Sequence, residues 1–525
     1  MRTFARTLSL CLALAAPASA QVLPHPPEVE RLPNGLTVVF VPYDSPGITA
    51  YFTLVRTGSR DEVQPGRSGF AHLFEHMMFR GTRALSGHEY ELRMQRLGAD
   101  NNAYTTEDYT LYTVTLPATS VDDFITVEAD RFQNLSYAEQ AFQTETRAVL
   151  GEYNKSAANP VSQMWESLAE LAFTRHTYGH TTIGYLRDVR AMPGLYTFSQ
   201  QFFRQFYTPD NCTVIVAGDF DRARVLARVR EAYGPWRGRR ATPAPPREPE
   251  QTAPRRRDLA WEGTSPRRML LGYRVPAFNL AGRDNAALEV LHALAFSASS
   301  DLYQRLVVER PRLLALQSWA GELHRDPTVF IVEATLAPGA TFDEVEGAVT
   351  DELARIGRGE AEASRIADVV SNLRYAMPMD VQRPADAAQL VARYMALTGA
   401  PDTYERYHAL VAAVTPDDVA RVARSYLTPA RRSVVTLSPA ADAPPGARRV
   451  SPPPTPPTPP RAHGEARARC VHRGRGVSAR RPRRPPRPWP RPLRSPRRRR
   501  RRPRRPRRSP TTRCSCCAAR ARKTW

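Results

Sequence analysis

Two histidines and a glutamate fall close together in the stretch Phe70-Ala71-His72-Leu73-Phe74-Glu75-His76-Met77-Met78-Phe79. Apolar residues recur at Phe70, Leu73, Phe74, Met77 and Met78, the stripe of a helix with one face in a core. His72, Glu75 and His76 then share an adjoining face at i, i+3 and i+4. Two imidazoles one turn apart can ligate one metal ion. The carboxylate between them stands where it can take a proton from a water on that metal. Ser68 and Gly69 can start this helix, and Gly81 can end it.

H-x-x-E-H is the inverted order of the zinc motif H-E-x-x-H. A catalytic zinc takes three protein ligands and keeps a further position open. The third ligand must come from another element. Residues 137–155, YAEQAFQTETRAVLGEYNK, read as a second helix with few breakers. Glu145 and Glu152, seven residues apart, project from one face of it. Glu152 lies 76 residues after His76. On these motifs and this spacing the chain resembles the M16 family of zinc peptidases, the group of pitrilysin, insulin-degrading enzyme and mitochondrial processing peptidase. The resemblance implies His72, His76 and Glu152 as ligands of one Zn2+ per chain, Glu75 as the catalytic base, and Glu145 as a supporting acid that orients the ligands.

The elements around the motif read as a sheet with helices. Asn34-Gly35 signals a tight turn, and residues 36–41, 48–55 and 110–116 read as strands. The segment Asn102-Ala103-Tyr104-Thr105 is similar to the family's N-A-x-T segment, an edge strand beside the zinc. That likeness implies Asn102 and Ala103 as substrate-binding residues, pairing main chain to main chain with an extended peptide. Met78-Phe79-Arg80-Gly81-Thr82 also matches the family.

The second part of the chain repeats the first. Tyr207-Thr208-Pro209 leading into Cys212–Val216 recurs as Leu427-Thr428-Pro429 leading into Arg432–Thr436, at an offset of 220. The same offset carries His72, Glu75 and His76 to His292, Ala295 and Phe296. A phenylalanine in a ligand position cannot hold a metal, so the second half is expected to keep the fold and lack the chemistry. The expected fold class is α+β: two homologous domains at 28–236 and 258–440, joined by a linker at 237–257 rich in proline and charge. Inactive halves in this family often carry an Arg followed seven positions later by a Tyr, which reach the substrate carbonyl. Here Arg310 is followed at that spacing by Gln317, and Arg305 by Arg312. The missing pair implies a homodimer, or a heterodimer with an M16-like chain that supplies it.

Composition bounds what remains. The chain has 525 residues and a net charge of +23, but residues 443–525 alone carry +27, leaving −4 on the rest. The basic excess therefore belongs to the tail, and no nucleic-acid binding is expected of the folded body. Arg2 and Arg6, the apolar run Leu8–Ala16 and the small residues Pro17-Ala18-Ser19-Ala20 read as an export signal cut after Ala20. A periplasmic or secreted location follows, and no other apolar run is of spanning length. Of six cysteines only Cys212 lies outside the leader and tail, so the body has no internal disulfide. The Arg- and Pro-rich tail, residues 441–525, cannot bury a core and is expected to be disordered. Its abrupt onset reads as out-of-frame translation of a GC-rich gene, with a polyanion-binding arm as the other reading.

The functional expectation is a zinc-dependent endopeptidase acting on peptides or unfolded segments. The alternative is a non-catalytic or partner-dependent assembly subunit of the same fold.

Overall fold

The structure is a computed structural model that describes residues 22–240, 244–320 and 323–452. The leader and residues 453–525 of the tail lie outside the described residues. Twelve strands form two six-stranded sheets among these residues. The first comprises β1 (Glu28–Arg31), β2 (Thr37–Pro42), β3 (Ile48–Val55), β4 (Asp100–Thr105), β5 (Thr110–Pro117) and β6 (Cys212–Gly218). The second comprises β7 (Arg255–Trp261), β8 (Arg268–Val275), β9 (Leu313–Trp319), β10 (Thr328–Leu336), β11 (Arg432–Pro439) and β12 (Arg448–Val450).

The spatial orders are β1-β2-β6-β3-β5-β4 and β12-β7-β11-β8-β10-β9. Five strands correspond in the two orders, β2-β6-β3-β5-β4 with β7-β11-β8-β10-β9, while the outer strand differs: β1 opens the chain and runs antiparallel to β2, and β12 comes last and runs parallel to β7. In each sheet the last long strand runs parallel to one neighbour and antiparallel to the other: β6 beside β2 and β3, β11 beside β7 and β8. β3 and β8 start 220 residues apart, as do β6 and β11. The repeat read from the sequence is therefore a repeat of topology, and the fold is two similar α+β halves. His292, Ala295 and Phe296 do fall on a helix, Asp284–Phe296.

β3, ITAYFTLV, is apolar on both faces because both are covered. One face packs on the motif helix, Phe70–Met77, within a cluster that includes Tyr51, Val55, Phe70, Phe74 and Met77. The other face, with Ala50, Phe52 and Leu54, packs on a helix of the second half, Pro384–Thr398, through Ala387 and Val391. The second sheet receives the same treatment in return. Helix Pro160–Ala172 of the first half lies across it, with Met164 and Leu168 among Leu259, Leu270, Val435 and Leu437. Gly272 on β8 makes this approach possible, since a Cβ there would sit 2.9 Å from a Leu168 methyl.

Arginines finish both exchanged helices. Arg56 donates to the carbonyls of Ala396 and Leu397, and Arg255 and Arg274 donate to that of Ala172. A cation at a helix C-terminus meets orphan carbonyls and the negative end of the helix dipole together.

Two boundaries differ from the sequence expectation. Strand β12 lies beyond residue 440 and pairs parallel to β7, with Val450 packed in the cluster of Leu259 and Trp261. One apolar residue among arginines gives no periodic signal, so composition hid it. The expected linker is extended but fastened down. Glu248 accepts the N–H groups of Thr174, Arg175 and His176, and residues 255–257 already belong to β7. Among the described residues no helix is long and apolar enough to cross a membrane.

The exchanged helix supplies a test of the packing. Leu168 is 1% exposed. Leu168→Ala is expected to cost about 2–5 kcal/mol. A thermal melt reads this as a lowered melting temperature, whereas truncating the exposed Val308 leaves the melt unchanged.

Candidate metal centre

The motif helix is the platform. Its apolar stripe, Phe70, Leu73, Phe74 and Met77, is fully buried. That fixes the rotation about its axis and turns His72, Glu75 and His76 to one side. Its start is not built as the sequence suggests. Gly69 occupies the N-cap position at φ 92° and offers no cap side chain, and a Cβ there would meet the Ile183 carbonyl at 2.5 Å. The Ser68 hydroxyl instead donates to Asp188 and accepts from the Tyr185 N–H. The capping carboxylate is Glu62, which accepts the N–H groups of Gly69 at 2.7 Å and Ala71 at 2.6 Å. Burial pushes this carboxyl up to about 8, against the pull of those two donors.

Helix Glu139–Ala157 runs past the motif helix and brings Glu152 to both imidazoles. Glu152 Oε2 lies 3.4 Å from His72 Nε2 and 3.6 Å from His76 Nε2. One ligand atom from each residue falls within 4.8 Å of the others. Tetrahedral bonds of about 2.0–2.1 Å place donor atoms about 3.4 Å apart, so this nitrogen, nitrogen and oxygen set fits a zinc ion. The imidazole of His72 suits ligation: burial, then His76, pushes its pKa down to about 4, leaving it neutral. Among the described residues this is the one group of three or more such donors.

The supporting contacts are as specific. Glu145 Oε2 lies 3.5 Å from His76 Nδ1, and its other oxygen accepts from Arg80 Nε at 2.9 Å. Burial alone would depress His76, but the carboxylates of Glu145 and Glu152 raise it to about 9. Glu75 is pushed up to about 7 by burial, while Thr105 and His76 pull against the rise. Thr105 donates its hydroxyl to Glu75 Oε2 at 2.9 Å.

Thr105 ends β4, whose outer edge is the rim of the first sheet. Asn102 and Ala103 lie on the same strand, opposite Thr113 and Tyr112 of β5. The structure thus brings together His72, His76, Glu152, Glu75 and Glu145, and sets Asn102 and Ala103 on the neighbouring edge strand. Sequence reasoning assigned no role to Thr105, Arg80 or Glu62. Thr105 and Arg80 sat inside family-like segments, which was the available signal. Glu62 had none, since it acts on N–H groups seven and nine residues away.

Comparison with known sequences is decisive at this point. The profile of the insulinase family, peptidase family M16, matches residues 39–185, and that of the peptidase M16 inactive domain matches residues 198–373. The chain belongs to peptidase family M16. Within the family it is similar to a zinc protease PqqE of Helicobacter pylori, 27% identical over 441 residues, which cover 82% of this chain and 97% of that protein. A crystal structure of a protease from Helicobacter pylori superposes with a TM-score of 0.74 at 26% identity, over 79% of this chain and all of that one. The periplasmic protease PqqL of Escherichia coli shares the fold, with a TM-score of 0.65 at 18% identity over 78% of this chain and 47% of that one.

The raised carboxyl of Glu75 has a measurable consequence in M16 protein stripped of metal by a chelator. The folded state holds this proton more tightly than the unfolded state does. The stabilisation is complete below the ordinary value of 4.5 and fades as pH rises through about 7. Glu75→Gln removes this contribution. The melting temperature of the chelated variant is expected to fall less between these pH values than that of wild type.

Proposed function

We propose that the chain is a zinc-dependent endopeptidase that hydrolyses peptides or unfolded protein segments, with one zinc per chain held by His72, His76 and Glu152. The observation that carries the reading is the spacing of 3.4 and 3.6 Å between the Glu152 oxygen and the two imidazoles, with the Glu75 carboxyl fixed beside them. A zinc ion supplies Lewis acidity, which makes water a nucleophile near neutral pH and polarises a carbonyl.

The chain's own residues do the rest. Glu75, with its pKa near 7, takes the proton from the attacking water and returns it to the leaving amine. Thr105 holds the carboxylate through its hydroxyl on Oε2. Glu145, itself fixed by Arg80, holds His76 by its second nitrogen and so sets the ring plane. The rim of β4 at Asn102 and Ala103 offers main-chain groups to an extended substrate, which joins the sheet as a further strand. This favours unfolded chains, since a folded substrate has already paired its backbone.

The absent Arg–Tyr spacing supports a homologous M16-like chain carrying the pair as partner; a homodimer is the other assembly in the proposal, and it would work without the pair. Export by the leader at residues 1–20 belongs to the same proposal, as does a periplasmic or secreted location. The alternative, a subunit without chemistry, is disfavoured because the base and all three donors are present.

The test is hydrolysis of unstructured peptides by the zinc-loaded chain, with Glu75→Gln as control. Loss of a general base lowers the rate by about 10²–10⁴-fold. Equal cleavage by both proteins overturns the reading. Cleavage that needs an added homologue with the Arg–Tyr pair assigns the partner-dependent form.

A further inference from the structure

The second half touches the first through residues that are neither metal donors nor the base. The turn between β4 and β5 carries Asp108, which is 2% exposed. Its carboxylate accepts from Tyr178 Oη at 2.7 Å within the first half. From the second half it accepts from His324 Nδ1 at 3.1 Å and from the Arg325 N–H at 2.9 Å. Burial would push this carboxyl up, yet His324, the Arg325 N–H and Tyr178 hold it below the usual carboxylate range. The donors are themselves anchored in the second half, where the Phe278 N–H binds the His324 carbonyl.

The turn is stiff from its tip to its base. The Thr106 N–H binds the Tyr109 carbonyl, and the Thr106 hydroxyl accepts the N–H groups of Asp108 and Tyr109. The segment 58–60 braces its outer side, with the Arg60 N–H on the Glu107 carbonyl. Gly58 is pressed so close that a Cβ would lie 2.3 Å from the Thr106 carbonyl. The residue immediately before this turn is Thr105, whose hydroxyl holds Glu75.

We propose that Asp108 is a positioning residue through which the second half sets the geometry of the base: His324 and Arg325 hold Asp108, Asp108 holds the β4–β5 turn, and the turn places the Thr105 hydroxyl on Glu75. The inference rests on the reading of Glu75 as the base. It gives the half that lacks a metal site an indirect part in catalysis, separate from covering the active half. Asp108 touches no substrate, and its effect runs through Thr105.

The experiment is a double-mutant cycle on the full, zinc-loaded chain: wild type, Asp108→Asn, Thr105→Val and the double variant. Three quantities are read: peptide kcat and KM, zinc content, and melting temperature. Misplacing a reacting group by a fraction of an ångström is expected to lower kcat of Asp108→Asn by roughly 10–100-fold. KM and zinc content stay within about twofold of wild type, because binding is untouched. The double variant is no slower than Thr105→Val alone, and the two shifts in melting temperature are not additive.

Unchanged kcat in Asp108→Asn, or kcat losses that multiply together with melting shifts that add, overturns the proposal and leaves Asp108 as a tie between the halves. If wild type cleaves nothing either alone or with an added M16-like homologue carrying the Arg–Tyr pair, the peptidase reading fails. The melting cycle then decides the coupling alone, with additivity overturning it. If Asp108→Asn does not fold, His324→Gln takes its place in the same cycle.

Discussion

One carboxylate oxygen has to meet two imidazoles, and much of the molecule exists to bring it there. His72 and His76 ride a helix whose apolar stripe is sealed into the first core, so their direction is set locally. Glu152 comes from a separate helix, and no hydrogen bond within either helix fixes the distance between them. That distance is set by Phe142 and Val149, which join the core of the motif helix, and by the stretch of chain just after Glu152. The chain turns at Asn159, whose side chain caps the next helix, and that helix is laid across the second sheet. Tyr153, next to Glu152, bonds the Glu166 carboxylate on the laid helix at 2.9 and 3.0 Å. The position of the third donor is thus referred to the β-sheet of the other half.

The polar network beside the site arises from the same constraint. Buried ionisable groups are tolerable only when each is answered by a partner. Glu62 is answered by helix N–H groups, Glu145 by Arg80, and Asp108 by His324, Arg325 and Tyr178. Glu62 is thereby tied to the start of the motif helix, and Glu145 to the His76 ring. Glu75 is the partial exception, held through the Thr105 hydroxyl and backbone and left with a carboxyl near 7. A carboxyl with few donors in a buried place stays poised between its two protonation forms near neutral pH.

Legibility in the sequence tracked the range over which a residue acts. The motif helix and strand β3 were visible because periodicity is local, and the observed spans match the reading closely. Glu152 was visible through family spacing, since nothing in its own helix separates it from a solvated glutamate. The repeat was visible because the same turn recurs at a fixed offset, and the two sheets bear it out. Thr105 acts on a residue 30 positions away, and Asp108 accepts from one 216 positions away. No local pattern encodes such pairs. β12 escaped notice because its one buried residue sits in arginine-rich sequence.

The exchange of helices between the sheets has a consequence for how the chain is made. All strands of the first sheet have been synthesised by Gly218, yet its outer face stays bare until Pro384–Thr398 emerges from the ribosome. A nascent chain of nearly four hundred residues therefore carries an uncovered apolar sheet that cannot settle, because its cover has not been translated. Neither sheet reaches its full burial without the other half, so the completed body, and not either half by itself, is the unit that buries both cores.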